Sequence, residues 1–267
     1  MKNKELLTVI VPYYNNSYQE LKKALESIIN QKKIDFKILI LIVDDHSKKK
    51  IDLKVLNLIK YNKKKIRINI FRKKKNQGDS SARVTGVKIS KSKYIAFLDA
   101  DDYWRSFKLF FQFKFLREHG KKIIGSDWNN KTHFANFLSN NSNYYKINKI
   151  QMVLKWWPHI STIVMERNFF KKLNLNHSGS YRFGGDGDIL IKLASSNLFF
   201  ILNKDLVRCH SFKMNPYVSG MTSKLKEMNS GEIKVINDNF TNIFLRFFLI
   251  MWIKLKFVIR VISNLKK

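Results

Sequence analysis

Carboxylates are scarce in this chain, 20 Asp and Glu against 51 Lys and Arg, and several sit where they could do chemistry. Asp99, Asp101 and Asp102 fall within four positions, directly after the apolar run Tyr94-Ile95-Ala96-Phe97-Leu98. Such a run reads as a buried strand, and open α/β sheets bind ligands beyond the carboxyl ends of their strands. Three acids held that close repel one another unless a cation joins them, and hard divalent cations take carboxylate oxygens. The same residues would also make a solvated acidic turn, because Asp favours turns. A second pair, Asp44-Asp45, ends the apolar run over 36–43, and a third, Asp186 and Asp188, opens a helical pattern after Gly184-Gly185. An acid there would cap the helix.

These groups need elements to hold them. Residues 6–13 read as a strand, and Ser17-x-x-Glu20 reads as a capping box opening a helix with Leu21, Ala24, Leu25, Ile28 and Ile29 on one face. Strands are expected over 36–43 and 66–71, a short helix over 51–59, and a helix over 80–89 that leads into the strand before Asp99. Repeated strand–helix units imply right-handed crossovers and a mainly parallel sheet. The acids at 44–45 and 99–102 then share one edge of it. Beyond them we expect a helix over 107–118, a strand over 122–126, an Asn-rich loop or lid over 129–148, a strand over 160–165 and a helix over 188–194. No internal repeat or dividing linker is visible.

Composition bounds the rest. With 267 residues and 45% hydrophobic content, the chain can bury a large single core. One cysteine, Cys209, excludes an internal disulfide. Met1 to Glu5 runs straight into the first strand with no small-residue cleavage site, which makes the cytoplasm the expected compartment. The formal net charge of +31 favours polyanionic partners: nucleic acid, an anionic membrane face or a nucleotide diphosphate. The runs Lys48-Lys49-Lys50, Lys63-Lys64-Lys65 and Lys73-Lys74-Lys75 fall between expected elements, as solvated loops do, and no aromatics interleave them. A nucleic-acid-binding module would therefore rest on charge alone, and no nucleic acid is expected as a partner. Residues 243–265 are strongly apolar but broken by Arg246, Lys254, Lys256 and Arg260. No stretch there reaches the roughly 20 uninterrupted residues of a spanning helix. The pattern suits an amphipathic helix lying in a membrane surface or one packed on the core.

Four segments, in order, resemble the family 2 inverting glycosyltransferases of the GT-A fold: Thr8-Val9-Ile10-Val11-Pro12-Tyr13-Tyr14-Asn15-Asn16, Ile42-Val43-Asp44-Asp45-His46-Ser47, Asn76-Gln77-Gly78-Asp79-Ser80-Ser81-Ala82-Arg83-Val84-Thr85-Gly86, and Tyr94 through Trp104. The resemblance implies an α/β, Rossmann-like fold with a mixed, mainly parallel sheet flanked by helices. It places a glycosyltransferase domain over 1–235, with a nucleotide-sugar half over 1–105 and an acceptor half over 106–235. A basic, apolar tail over 236–267 follows.

The resemblance also implies roles. Pro12, Tyr14, Asp45, Asn76, Arg83 and Asp99 belong to the nucleotide site. Tyr14 offers a ring for base stacking or core packing, and Asp45 an acceptor for the base imide. Asn76 and Gly78 suit a tight turn, and Arg83 either faces the diphosphate or pairs with a sheet-edge acid. Asp101, with Asp99 through water, would hold Mg²⁺ or Mn²⁺, and His210 falls where relatives place a metal-facing residue. Asp102 would support or cap, as Asp44 would in its own loop. Asp186 matches the general base, although Gly185 and Gly187 replace the Glu and aromatic common in the family. Asp188 is a helix cap or a second functional acid, and Trp156-Trp157-Pro158-His159 would line an acceptor site or the core. The implied reaction transfers a sugar from a nucleotide-sugar donor, UDP favoured, to a lipid-linked or lipopolysaccharide-type glycan at the inner face of the membrane. The altered Gly185-Asp186-Gly187 segment leaves a catalytically weak nucleotide-sugar-binding protein as the alternative.

Overall fold

The computed structural model describes residues 6–51, 56, 59–129, 143–155, 158–173, 175, 177, 181–196, 198–209 and 224–265. Strand β1 (Leu7–Tyr13) is buried along nearly its whole length, as a central parallel strand covered on both faces must be. It pairs in parallel with β2 (Ile38–Asp44) on one side and β4 (Tyr94–Phe97) on the other. Strand β3 (Ile66–Arg72) adds to β2 in parallel and alternates buried with exposed positions, as an edge strand does. Helix α1 (Tyr18–Ile29) forms the capping box read from Ser17 and Glu20: Glu20 N donates to Ser17 Oγ at 3.2 Å and Ser17 N donates to Glu20 Oε2 at 3.0 Å. Helix α2 (Asp79–Ile89) lies tight on the sheet, because a Cβ on its Gly86 would come 2.5 Å from Ile10 Cγ2.

The second half extends the same sheet. Its further elements are β5 (Tyr103–Trp104), α3 (Lys108–Glu118), β6 (Ile123–Trp128), β7 (Tyr144–Lys146) and α4 (Lys149–Lys155). Then come β8 (Val164–Glu166), α5 (Arg167–Lys171), α6 (Gly185–Ser195), β9 (Phe200–Arg208), α7 (Leu225–Asn239) and α8 (Ile243–Leu265). Among the described residues the strand order is β3-β2-β1-β4-β8-β6-β9-β5, with β7 also on β9. Strand β8 runs antiparallel to β4 and β6, while β6 and β9 are parallel. The sheet is therefore parallel at the β3–β4 end and mixed beyond it.

Two expectations change. Residues 160–165 do not make one strand: a 3₁₀ turn, Ile160–Thr162, precedes the short β8. That turn is held by side chains, with Trp104 Nε1 donating to Ser161 O at 2.9 Å and Gln112 Nε2 donating to Thr162 O at 2.7 Å. Its apolar residues serve burial, not pairing. Within 129–148, β7 falls at Tyr144–Lys146, while 130–142 lie outside the described residues, as does most of the expected helix at 51–59.

Helix α7 runs through position 235, and the chain bends at Phe240 before α8. One face of α8 docks on the domain: Leu249 and Ile253 are fully buried, Trp252 Nε1 donates to Leu154 O at 3.3 Å, and Arg260 Nη1 reaches Glu232 Oε1 at 3.0 Å. The opposite face leaves Phe244, Phe247, Phe248, Met251, Leu255, Val258, Ile259 and Ile262 exposed. No helix among the described residues is long and apolar enough to cross a membrane.

Candidate active site

The carboxyl ends of β1, β2 and β4 open onto one edge, and the loops there brace one another. Asn15 and His46 adopt left-handed backbone, φ 55° and 66°, which Asn tolerates better than most residues. Asn15 N donates to Ser47 Oγ at 3.1 Å, and Lys48 N donates to Asn15 Oδ1 at 2.9 Å. Asp44 fixes its own loop: its Oδ1 accepts from Ser47 N at 2.8 Å and its Oδ2 from Arg72 Nη1 at 2.5 Å. Tyr14, 38% exposed, offers its ring at this edge, while Pro12 is buried within β1.

Asp45 points the other way, with no exposed surface. Its carboxylate accepts from Lys73 Nζ at 2.5 Å, Gln77 N at 3.0 Å and Gly78 N at 2.6 Å. In this conformation it braces the turn that carries Asn76 and Gly78, where the resemblance implied a base contact. Gly78 has φ +91°, and a Cβ there would press on the Arg182 backbone at 3.3 Å, so glycine is required by both conformation and space. Lys73, read from sequence as part of a solvated run, is buried here, because a buried carboxylate needs a cation.

The acids after β4 divide by orientation. Asp102 turns inward, where its Oδ2 accepts from Ser161 Oγ at 2.6 Å and faces His159 Nδ1 at 3.3 Å. Cys209 lies against it: burial, then the Asp102 and Asp99 charges, push the thiol far above its usual range, and the thiol hydrogen-bonds to Asp102. Asp102, His159 and Cys209 bring donor atoms within 4.8 Å of one another. Asp99 N donates to Ser161 Oγ at 3.1 Å, so one serine ties the strand end to the Asp102 side of the loop. Asp101 is pushed up to about 7 by burial, then by the negative charges of Asp102 and Asp99. No Lys or Arg pairs with it among the described residues. Asp101, whose charge is disfavoured where it sits and which offers only oxygen donors, fits a hard divalent cation, with Asp99 two residues away.

Arg83 joins the two halves. It is buried, with Nη2 donating to Asp99 Oδ1 and Nη1 to Asp186 Oδ1 at 2.5 Å. Its Nε has no hydrogen-bond partner among the described residues. The guanidinium is itself held more strongly protonated, since the charges of Asp186, Asp99 and Asp79 outweigh the cost of burial. Burial raises Asp186, Arg83 opposes that, and the charges of Asp99 and Asp79 add to it, for a net upward shift. Asp79 is likewise raised, chiefly by burial. Asp186 keeps 40% of its side chain exposed at the cleft and Asp99 22%. One planar cation thus spans an acid at the end of β4 and an acid at the start of α6, respectively 16 and 103 residues from it in sequence.

A family model described as Glycosyl transferase family 2 matches residues 8–181. The chain belongs to that family. An uncharacterized glycosyltransferase of Rickettsia bellii (strain RML369-C) is 30% identical over 201 residues, covering 75% of this chain and 28% of the relative. The poly(ribitol-phosphate) beta-N-acetylglucosaminyltransferase TarP of Staphylococcus aureus (strain N315) is 35% identical over 121 residues, 44% of this chain and 35% of TarP. This chain therefore spans about a third of the length of these relatives. In fold, the family 2 domain resembles S. aureus TarS 1-349 in complex with UDP-GlcNAc, with TM-score 0.63 at 17% identity over 91% of this chain and 70% of that one.

In the fold, Asp99 and Arg83 of the family-matched segment are brought together with Asp186, which lies just beyond it, and Asp45, Asn76 and Tyr14 line the neighbouring strand ends. His210, Trp156 and Trp157 lie outside the described residues, whereas His159 faces Asp102. Sequence reasoning missed Lys73, Ser161 and His177 as parts of the site's frame. No local signal marks them, since Lys73 looks like its exposed neighbours and His177 stands alone in a polar stretch.

Proposed function

We propose that this domain transfers a sugar, with inversion, from a UDP-sugar to a hydroxyl of a lipid-linked or lipopolysaccharide-type glycan. The observation that carries the reading is Arg83 bridging Asp99 and Asp186, which sets the donor-side acid and the only cleft-facing acid of α6 on either side of one cation. Tyr14 stacks on the nucleobase, and the Asp45-braced turn at Asn76–Gly78 closes the pocket beside it. Asp101, with Asp99 through water and His210 by resemblance, would hold Mg²⁺ or Mn²⁺, which would supply positive charge against the departing diphosphate. Arg83 contributes fixed positive charge on the same side. Asp186 accepts the proton of the acceptor hydroxyl on the opposite face, and its upward shift, set chiefly by burial, makes it a stronger proton acceptor than an ordinary carboxylate. TarP, which the name places on a poly(ribitol-phosphate) acceptor, and the UDP-GlcNAc complex of TarS support a UDP-sugar donor and a surface-glycan acceptor.

The exposed apolar stripe of α8, flanked by Lys254 and Lys256, supports a resting place on the anionic inner face of the membrane. Vesicles containing anionic lipid should sediment the protein, whereas Phe244→Glu/Phe247→Glu should stay in solution.

The central test is a thermal-shift screen of UDP-, GDP- and dTDP-sugars with Mn²⁺, followed by turnover of the ligand that stabilises most. Stabilisation by a UDP-sugar, with turnover abolished in Asp186→Asn, is the expected result. Binding with turnover unaffected by Asp186→Asn would overturn the base assignment, and binding without any turnover would favour a nucleotide-sugar-binding protein.

A further inference from the structure

Behind the Arg83–Asp186 pair runs a second polar chain that the proposed reaction does not use. His177 is buried with both ring nitrogens engaged: Nε2 lies 2.8 Å from Asp188 Oδ2, and Nδ1 meets Ser80 Oγ. Asp188 Oδ2 also accepts from Lys192 Nζ at 2.8 Å, and its Oδ1 accepts from Asn239 Nδ2 at 2.7 Å. Burial pushes Asp188 up, but these donors, His177 first, bring it below the usual carboxylate range. An ionised carboxylate only accepts, so Nε2 carries a proton, and in the neutral ring Nδ1 accepts from the Ser80 hydroxyl. The order Ser-His-Asp is that of a nucleophile relay. Here Ser80, His177 and Asp188 are all buried, so no substrate reaches the hydroxyl and the chain's use is mechanical.

Its members sit on the elements that carry the site. Ser80 precedes Arg83 by one turn on α2, Asp188 follows Asp186 by two residues on α6, and Asn239 ends α7. Side chains two apart on a helix point roughly 200° apart. Tying Asp188 inward therefore turns Asp186 out to the cleft. The helices meet without a gap: a Cβ on Gly185 would lie 2.3 Å from Ser80 Oγ, and one on Gly184 would lie 2.8 Å from the Gly231 backbone. The position at which this chain lacks the family's Glu is where Ser80 now fits. Tyr181 packs on the His177 ring at 4.6 Å, and its hydroxyl is tied to Asp238 of α7.

We propose that Ser80, His177 and Asp188 form the positioning device of this active site: they lock α6 onto α2 and thereby set Asp186 against Arg83, with His177 as the positioning residue. The inference rests on the reading of Asp186 as the base.

Two variants test it. His177→Gln keeps a donor for Asp188 and loses the Ser80 contact, and Ser80→Ala removes one hydroxyl. With Mn²⁺-dependent hydrolysis of UDP-GlcNAc as the probe reaction, kcat should fall about 10- to 100-fold in His177→Gln and less in Ser80→Ala, as expected for a displaced catalytic group. KM and the affinity for UDP should stay within about two-fold, since the donor side is untouched. Unchanged kcat, or a fall in UDP affinity that matches the loss in kcat, would overturn the proposal. A readout independent of turnover is the ¹³Cγ resonance of Asp186, identified by its absence in Asp186→Asn. It should move in both variants, and a resonance that stays in place in both also overturns the proposal. Full activity in Asp186→Asn would instead refute the base assignment, whatever the ¹³Cγ result, so the two failures are separable.

Discussion

Replacing Arg83 with Met should damage this protein more than any other single change at the cleft, and in a pH-dependent way. The guanidinium touches Asp99 and Asp186 and is itself buried. Unit charges about 4 Å apart attract by roughly 4 kcal/mol at an effective dielectric near 20. Asp99 and Asp186 keep 22% and 40% of their side chains exposed, so solvent screening reduces that figure by about half for each pair. The two pairs together then come to about 4 kcal/mol, within the roughly 3–5 kcal/mol seen when one partner of a buried ion pair is removed. Without Arg83, the carboxyls of Asp79 and Asp186, already raised by burial, lose the charge that opposes that rise and shift further above the unfolded range near 4. A carboxyl raised in the folded state binds a proton there that the unfolded chain releases. Stability is therefore lost as pH rises through that window and regained as pH falls. Urea unfolding followed by circular dichroism should show the Arg83→Met midpoint about 1 M or more below wild type at pH 8, with the gap narrowing by pH 5. Arg83→Lys should fall between the two, because one ammonium cannot span both acids. Equal midpoints for Arg83→Met and wild type at both pH values would refute the bridging role.

Three further outcomes follow from other parts of the structure. Gly185→Ala puts a methyl 2.3 Å from Ser80 Oγ and should cost about 1–3 kcal/mol; adding Ser80→Gly should return part of it, and strictly additive losses in the double variant would contradict the contact. Asp127, buried on β6, is pushed up to about 7 by burial, with the Tyr145 hydroxyl opposing and the Asp205 charge adding to the shift. Its proton is lost on unfolding, so it penalises the fold progressively from about pH 4 to pH 7, and Asp127→Asn should hold its melting temperature between pH 5 and 8 where wild type declines. Lys108 is fully buried, donates to Gln112 Oε1 at 2.7 Å and is held well below its usual pKa by desolvation. The unfolded chain then binds the extra proton, so wild-type stability should rise as pH climbs towards the ordinary lysine range near 10, and Lys108→Met should lack that rise in a melting-temperature series.

Much of the half before Trp104 was legible because its signals are local. An apolar run that stops on acids, a capping box at Ser17 and Glu20, and alternating strand–helix units each follow from a few adjacent residues. They recur in β1, α1, β2 and β4 with shifts of one or two residues at the ends. The half beyond Trp104 was harder to read. Strands β5, β7 and β8 are two or three residues long, too short for any periodicity to show. Strand β9 alternates weakly because it is paired on both sides by strands of different direction.

What the sequence determined by itself is the inventory: the acids at 44–45, 99–102 and 186–188, the turn glycine at 78, and a helix with too many apolar residues for one face. Tertiary structure decided how that inventory is used. Asp45 and Asp101 are both acids beyond a strand end, yet one is buried against Lys73 and the other lacks a cationic partner among the described residues. Asp186 and Asp188 stand two residues apart, yet one faces the cleft and the other is tied inward by His177, Lys192 and Asn239. The physical reason is that an ionisable group's role depends on its solvation and its charged neighbours, and here those neighbours come from segments up to 103 residues away. No local pattern encodes that distance; only the packing of α2 against α6 does.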